Sequence, residues 1–95
     1  MIEIVKVVGV RPVADHRLSV RFSDGTFGEH DFSAMAAERG VMVEPLRDPY
    51  YFGRVFIEMG VLAWPNGFDI DAIQLRREME SAGELRRDAV EWGAG

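Results

Sequence analysis

The chain has 95 residues, of which 11 are basic and 16 are acidic, and its formal net charge at pH 7 is −5. The absence of cysteine excludes disulfides and cysteine-ligated metal centres. The acidic balance argues against direct nucleic-acid binding, and no apolar run approaches the roughly 20 residues of a membrane span. We therefore expect a single cytoplasmic domain that binds neither nucleic acid nor membrane.

The first predicted strand spans Glu3 to Val10, where apolar side chains occupy both sets of alternating positions. Pro12 is expected to end it, because proline has no amide hydrogen to donate to a neighbouring strand. A second strand, Arg17 to Phe22, alternates strictly between polar and apolar residues, and Asp24-Gly25 after it is a strong hairpin signal. The chain should therefore begin with a strand followed by a hairpin.

The length of the hairpin loop decides which side chains of the third strand are buried. A two-residue loop would place apolar Val20 opposite acidic Glu29. A three-residue loop that ends at Gly25 shifts the register by one residue and places Arg17 opposite Asp31. Such opposite charges contribute roughly 0.2–1 kcal/mol per facing pair. We predict the three-residue loop.

The middle of the chain contains two short helical segments. Ser33 can cap a first helix, which Gly40 closes. Asp48 followed by Pro49 is typical of the start of a second helix. Between the two, residues Val41 to Val43 can form a brief strand.

A second hairpin is predicted from Arg54 to Pro65, with its turn at Met59-Gly60. Downstream, Asp71 stands three residues before Gln74, which is the spacing of a capping box at the start of a helix. The helix that follows carries its apolar residues on one stripe. It should therefore pack on the sheet with a solvated outer face.

Together these elements predict an α+β fold. We expect one antiparallel sheet of four or five strands, built from two hairpins and an N-terminal strand, with a C-terminal helix packed on one face. Residues 1–82 should form this single domain. Residues 83–95 show weak helical spacing, which indicates either a tail or a short extra helix.

Carboxylates and histidines are the first candidates for chemistry. Asp69 and Asp71 could begin a metal site, but the ligand spacing of a calcium loop is missing, and turn formation with helix capping accounts for both. His30 beside Asp31 could act in acid–base catalysis, although the chosen register points its ring toward the core beside Val20. We predict no catalytic, cofactor or metal-binding residue. The alternative is a small-ligand or metal-dependent enzyme that uses His30, Asp31, Asp69 and Asp71.

Aromatic residues form the other candidate site. Tyr50, Tyr51 and Phe52 are consecutive, so they cannot all enter one small core, and tyrosine and tryptophan commonly anchor interfaces. The predicted partner interface comprises Tyr50, Tyr51, Trp64 and Trp92. The alternative is that Phe52 and Trp64 belong to the core and that the tyrosines lie flat on the surface.

Several motifs occur in an order and spacing that resembles a known family. They are V-x-x-V at 5–8, L-x-V-x-F-x-D-G at 18–25, His30-Asp31-Phe32, P-L-x-D at 45–48, Tyr51-Phe52 and W-P-N-G-x-D-I-D at 64–71. This pattern, over roughly residues 3–75, resembles the domain-of-unknown-function family 2442. The resemblance implies a bacterial α+β protein whose gene often lies beside another small gene, as in toxin–antitoxin pairs, and which sometimes precedes a helix-turn-helix domain. It implies no catalytic residues.

For function we expect a small non-enzymatic binding or regulatory module that acts through a protein partner. The acidic charge, the missing catalytic motifs and the surplus of aromatic residues lead to this expectation. The partner would be a second copy of the chain, giving a homodimer, or the product of an adjacent gene in an antitoxin-like pair.

Overall fold

A computed structural model of the chain describes residues 4–87. The α+β fold class is confirmed. The elements in chain order are β1 (Val7–Ala14), β2 (Arg17–Phe22), β3 (Thr26–Asp31), α1 (Ser33–Ala36), a 3₁₀ helix (Glu44–Arg47), α2 (Pro49–Phe52), β4 (Phe56–Glu58), β5 (Val61–Ala63), β6 (Asp69–Ile70), α3 (Ala72–Ser81) and β7 (Arg86–Arg87).

The strands divide between two antiparallel sheets, whereas the sequence predicted one. The larger sheet has the order β1-β2-β3-β7 and the smaller has the order β4-β5-β6. A backbone hydrogen bond links them, in which the amide of Val7 donates to the carbonyl of Gly60 at 2.8 Å. The strands β6 and β7 were not predicted. Each has only two residues, which is too short for an alternating pattern to be recognised.

Strand β1 begins and ends later than predicted and runs through Pro12. It lies at the edge of the larger sheet, the position in a sheet where proline is tolerated. The register also becomes irregular between Pro12 and Ala14. The expectation that proline would end the strand was therefore wrong, because it holds for inner strands and not for this edge.

The three-residue loop of the first hairpin is confirmed. Arg17 lies opposite Asp31, and Gly25 has a φ of +90°. This register turns one face of β2 inward and leaves the other outward. The inward residues, each at most 1% exposed, are Leu18, Val20 and Phe22.

The second hairpin is also confirmed, with Ile57 opposite Leu62. Its two turn residues, Met59 and Gly60, have φ values of +52° and +80°. Positive φ at both central positions is the geometry that matches the twist of a two-residue hairpin. Methionine adopts it at some cost, since only glycine enters this region freely.

The helical segments agree with prediction in part. Asp48 caps α2, because its side chain accepts a hydrogen bond from the amide of Tyr50 at 3.0 Å. Ser33 is the first residue of α1 and not its cap; its amide donates to the carboxylate of Asp31 at 2.8 Å, and its hydroxyl also contacts that carboxylate. These bonds hold the pKa of Asp31 below its ordinary value. Residues 41–43 form a turn instead of a strand.

Asp24 ties the first hairpin to α3. Its side chain accepts from the hydroxyl of Thr26 at 2.6 Å and from Nε of Arg76 at 2.7 Å, while Arg87 donates to its carbonyl at 2.7 Å. Burial raises the pKa of Asp24, but the hydrogen bonds and the adjacent guanidinium outweigh burial and hold that pKa below 3.8.

The depressed pKa of Asp24 predicts a loss of stability in acid. The folded-state pKa lies below the unfolded value, so the contribution is fully present above about pH 4 and is lost as the pH falls through the folded-state pKa. Asp24→Asn removes this titration. In urea unfolding between about pH 5 and about pH 2, the free energy of unfolding of Asp24→Asn should fall less than that of the wild type. Equal losses in both proteins would contradict the assignment.

Candidate functional site

The residues considered for acid–base or metal chemistry belong to different parts of the fold. His30 and Asp31 lie on β3 in the larger sheet, whereas Asp69 lies on β6 in the smaller sheet and Asp71 precedes α3. Within residues 4–87, no group of three or more His, Asp or Glu side chains is placed to hold a metal ion. The fold therefore does not gather these four residues into one metal site.

The stretch from Trp64 to Asp71 shapes the backbone between β5 and α3. The side chain of Asn66 accepts from the amide of Phe68 at 3.1 Å, and Gly67 supplies a φ of +93°. Asp71 caps α3 by accepting from the amide of Gln74 at 2.8 Å. The carboxylate thus satisfies one of the amides that a helix leaves unpaired at its start.

Removing this cap should destabilise the fold measurably. We expect Asp71→Ala to lower the free energy of unfolding by about 1 kcal/mol, the usual contribution of an acidic N-cap. Asp69→Ala is the matched control, since Asp69 is exposed. The control should change stability by less than about 0.5 kcal/mol. Chemical denaturation of both variants tests this, and equal losses would show that capping is not the role of Asp71.

His30 connects β3 to the segment that follows α3. Its Nδ1 lies 2.6 Å from Oε1 of Glu84, and its ring meets that of Phe32 edge-on with centroids 4.7 Å apart. It lies opposite Leu18 and is half-buried. The imidazole therefore serves as a hydrogen-bonded link between two parts of the chain.

His16 is half-buried. Its Nε2 lies 2.6 Å from the carbonyl of Leu46, and its ring packs on that of Phe52 at 4.8 Å. The residue occupies the tight turn between β1 and β2 with a φ of +57°. Histidine enters this region more readily than most side chains, but nothing local indicates the distant carbonyl that it meets.

The aromatic candidates separate into core and surface. Trp64 is 1% exposed, and its Nε1 donates to the carbonyl of Phe52 at 2.8 Å, so it is a core residue and its place in the predicted partner interface is corrected. Tyr50 is 89% exposed, and Tyr51 is half-buried beneath the guanidinium of Arg54. Trp92 lies outside the described residues. Of the three candidates within the described residues, Tyr50 is the one fully available to a partner.

The outward side of the larger sheet carries a cluster of arginines around a groove of about 700 Å³. The pairing of the strands brings them together, since Arg11 lies opposite Ser19, Arg21 opposite Phe27, and Phe27 opposite Arg86. Facing residues in adjacent strands point to the same side of a sheet. We call this surface the arginine face; it comprises Arg11, Arg17, Arg21, Arg86 and Phe27.

The arginine face is positive although the chain is acidic. Two glutamates, Glu29 and Glu84, also line the groove, so its four arginines give it a formal charge of +2. Because the whole chain carries −5, the remaining residues carry −7. The charge of the face is therefore opposite to that of the rest of the molecule.

The cations of this surface have different surroundings. Nε of Arg17 lies 3.3 Å from Oε1 of Glu29, and the guanidinium of Arg21 lies 4.7 Å from the centroid of the Phe27 ring. Arg11 and Arg86 form no ion pair with any carboxylate in the described range. These two side chains are the most available to an incoming anion.

A family model described as "Protein of unknown function (DUF2442)" matches residues 7–81 of the chain. The chain belongs to this family. The matched range begins at β1 and ends with α3, so β7 and its Arg86 lie beyond it. No curated protein and no solved structure matches the chain significantly.

Sequence reasoning missed the arginine face of this DUF2442 protein. Its four arginines are scattered along the chain and interleaved with acids, so no basic run marks them. The alternation of Arg17, Ser19 and Arg21 on β2 was the one local signal, and the contribution of Arg86 depends on the unpredicted strand β7.

Among residues 4–87, no helix combines the length and apolar character needed to cross a membrane.

Proposed function

We propose that this DUF2442 protein is a non-enzymatic protein-binding module that takes its partner on the arginine face. The observation that carries the proposal is the gathering of four arginines around Phe27 on one sheet face of an acidic chain. Arginine and aromatic residues are enriched among the side chains that dominate the energetics of protein interfaces.

The support beneath the arginine face favours binding. Arg17, Ser19 and Arg21 alternate along β2 with side chains that are fixed in the core, so their backbone positions are set before a partner arrives. A site on rigid strands loses less conformational freedom on binding than a site on a loop. The face therefore offers pre-positioned cations.

The charge distribution favours a protein partner over nucleic acid. A duplex presents a continuous row of phosphates, and the rest of the chain, with its formal charge of −7, would oppose them outside the +2 of the groove. A protein can present a compact anionic patch to the groove alone. The opposed charges would also orient the partner during encounter.

The partner we propose is a second copy of the chain or the product of an adjacent gene, as in an antitoxin-like regulatory pair in the cytoplasm. Light scattering over a range of concentrations detects the first, and calorimetric titration with the purified adjacent-gene product detects the second. A strict monomer at high concentration that also ignores the adjacent product would refute the proposal.

A pair of charge-reversed variants locates the binding surface. Replacing Arg11 and Arg86 by glutamate should weaken the association at least about tenfold, or about 1.4 kcal/mol. Replacing Arg39 and Arg77 by glutamate is the matched control, because both are exposed, lie outside the groove and give the same net charge. Equal weakening by the two pairs would remove the arginine face from the proposal.

A further inference from the structure

We infer that the arginine face takes an extended acidic segment of the partner, with two carboxylates about four residues apart and an apolar side chain midway between them. This inference rests on the proposed function and specifies the chemistry of what docks.

The type of cation indicates carboxylates. All four cations of the face are arginines, each with a planar guanidinium that donates in a fork. That geometry fits the two oxygens of a carboxylate in a bidentate pair, which is shorter and stronger than a neutral hydrogen bond. Arg17 already shows this preference, since Glu29 is its partner in the free protein.

The spacing follows from the strand order. Arg11 lies on β1 and Arg86 on β7, the two edges of the larger sheet, so three inter-strand intervals separate their backbones. At about 4.8 Å per interval this is about 14 Å across the strands. Arg11 is level with Ser19 on β2 whereas Arg86 is level with Arg21, and this offset of two residues, about 7 Å along the strands, brings the separation to about 16 Å. An extended chain rises about 3.3 Å per residue, so four residues cover about 13 Å, and the long arginine side chains reach across the remaining few ångströms. Residues four apart in an extended segment also point to the same side.

Phe27 sets the position of the apolar side chain, because it pairs with Arg86 and lies nearer to that edge of the sheet than to Arg11. It lies on β3, inside the two edges, and is half-buried with the guanidinium of Arg21 against its ring. An apolar side chain placed two residues after the first carboxylate would point to the same side and meet this ring. Removing such surface from water adds affinity that an ion pair at an exposed site does not supply by itself.

Three labelled synthetic peptides test the inference by fluorescence anisotropy. The first has glutamates at positions i and i+4 with phenylalanine at i+2, the second carries glutamine in place of both glutamates, and the third has the same composition as the first with its glutamates adjacent. We expect the first to bind most tightly and the glutamine peptide at least about tenfold more weakly, as the loss of two charge-assisted pairs implies. The adjacent arrangement should lie between the two.

Neutralised variants connect the peptide to the face. Arg11→Gln combined with Arg86→Gln should lower the affinity for the first peptide about tenfold. Arg39→Gln combined with Arg77→Gln removes the same charge elsewhere and should change that affinity less than about twofold. Phe27→Ala should lower the affinity for the peptide with phenylalanine at i+2. It should lower the affinity less for an otherwise identical peptide with alanine at that position.

The outcomes separate this inference from the proposed function. If glutamate and glutamine peptides bind alike, if no peptide binds, or if duplex DNA binds more tightly than the first peptide, the inference is wrong. Should partner association still depend on Arg11 and Arg86 in that case, the proposed function stands without it. If partner association is also indifferent to those arginines, both are refuted.

Discussion

Replacing Trp64 with alanine should lower the free energy of unfolding by about 4 kcal/mol, the middle of the range for buried aromatic residues. The side chain is 1% exposed, and its ring packs between those of Phe52 and Phe68 at centroid distances of 5.5 and 5.8 Å. The substitution also leaves the carbonyl of Phe52 without the indole donor that reaches it at 2.8 Å. A buried carbonyl without a partner adds to the cost of the cavity.

Tyr50→Ala is the matched control for Trp64→Ala. Tyr50 is 89% exposed, so its truncation should change stability by less than about 0.5 kcal/mol. Urea unfolding of the two variants measures the contrast. Trp64→Phe adds a second comparison, because it keeps an aromatic ring and loses the hydrogen bond. Losses of similar size for Trp64→Ala and Tyr50→Ala would contradict the core position of Trp64.

Gly28→Ala should destabilise the protein by about 3 kcal/mol, at the upper end of the usual cost of overpacking. A Cβ at this position would lie 3.0 Å from the carbonyl carbon of Glu84 and far inside van der Waals contact with its oxygen. The obstacle is backbone, so no change of rotamer can relieve it. The segment at Glu84 must move, which breaks its contact with His30 and shifts one wall of the groove.

Gly9→Ala provides the control for Gly28→Ala. It adds the same methyl group to the same sheet, where the nearest atom, Cβ of Arg21, is 3.4 Å away. Gly9→Ala should change the free energy of unfolding by less than about 1 kcal/mol. The added methyl group makes only an ordinary van der Waals contact, and alanine also stabilises the protein by reducing the conformational entropy of the unfolded chain. Urea unfolding compares the two variants. If Gly28→Ala and Gly9→Ala lower the free energy of unfolding by the same small amount, the close approach of β3 to Glu84 does not exist in solution.

The elements that the sequence predicted correctly depend on neighbouring residues. The register of the first hairpin follows from the loop at Ser23 to Gly25 and from the charges that it brings opposite each other. The caps at Asp48 and Asp71 follow from residues within three positions of each carboxylate. In each case the deciding residues lie within one hairpin or within a few positions of one another, so a short stretch of sequence is sufficient.

The features that the sequence did not predict depend on contacts between distant residues. Strand β7 forms because Arg86 pairs with Phe27, 59 positions earlier, and His16 is held by the carbonyl of Leu46. The arginine face has the same origin, since strand order and not sequence order brings Arg11 and Arg86 to one surface. Trp64 looked suited to an interface by residue type, and its burial became evident only from the packing around it.

The most direct test of the arginine face is a map of amide chemical shifts. The isotopically labelled protein would be titrated with the adjacent-gene product or, for self-association, concentrated stepwise. We predict that the largest changes occur at Ser19, Phe27 and Arg86, with those at Asp69 and Asp71 near the noise. Changes concentrated at Tyr50 or at the carboxylates before α3, with the arginine face unperturbed, would contradict the proposed binding surface.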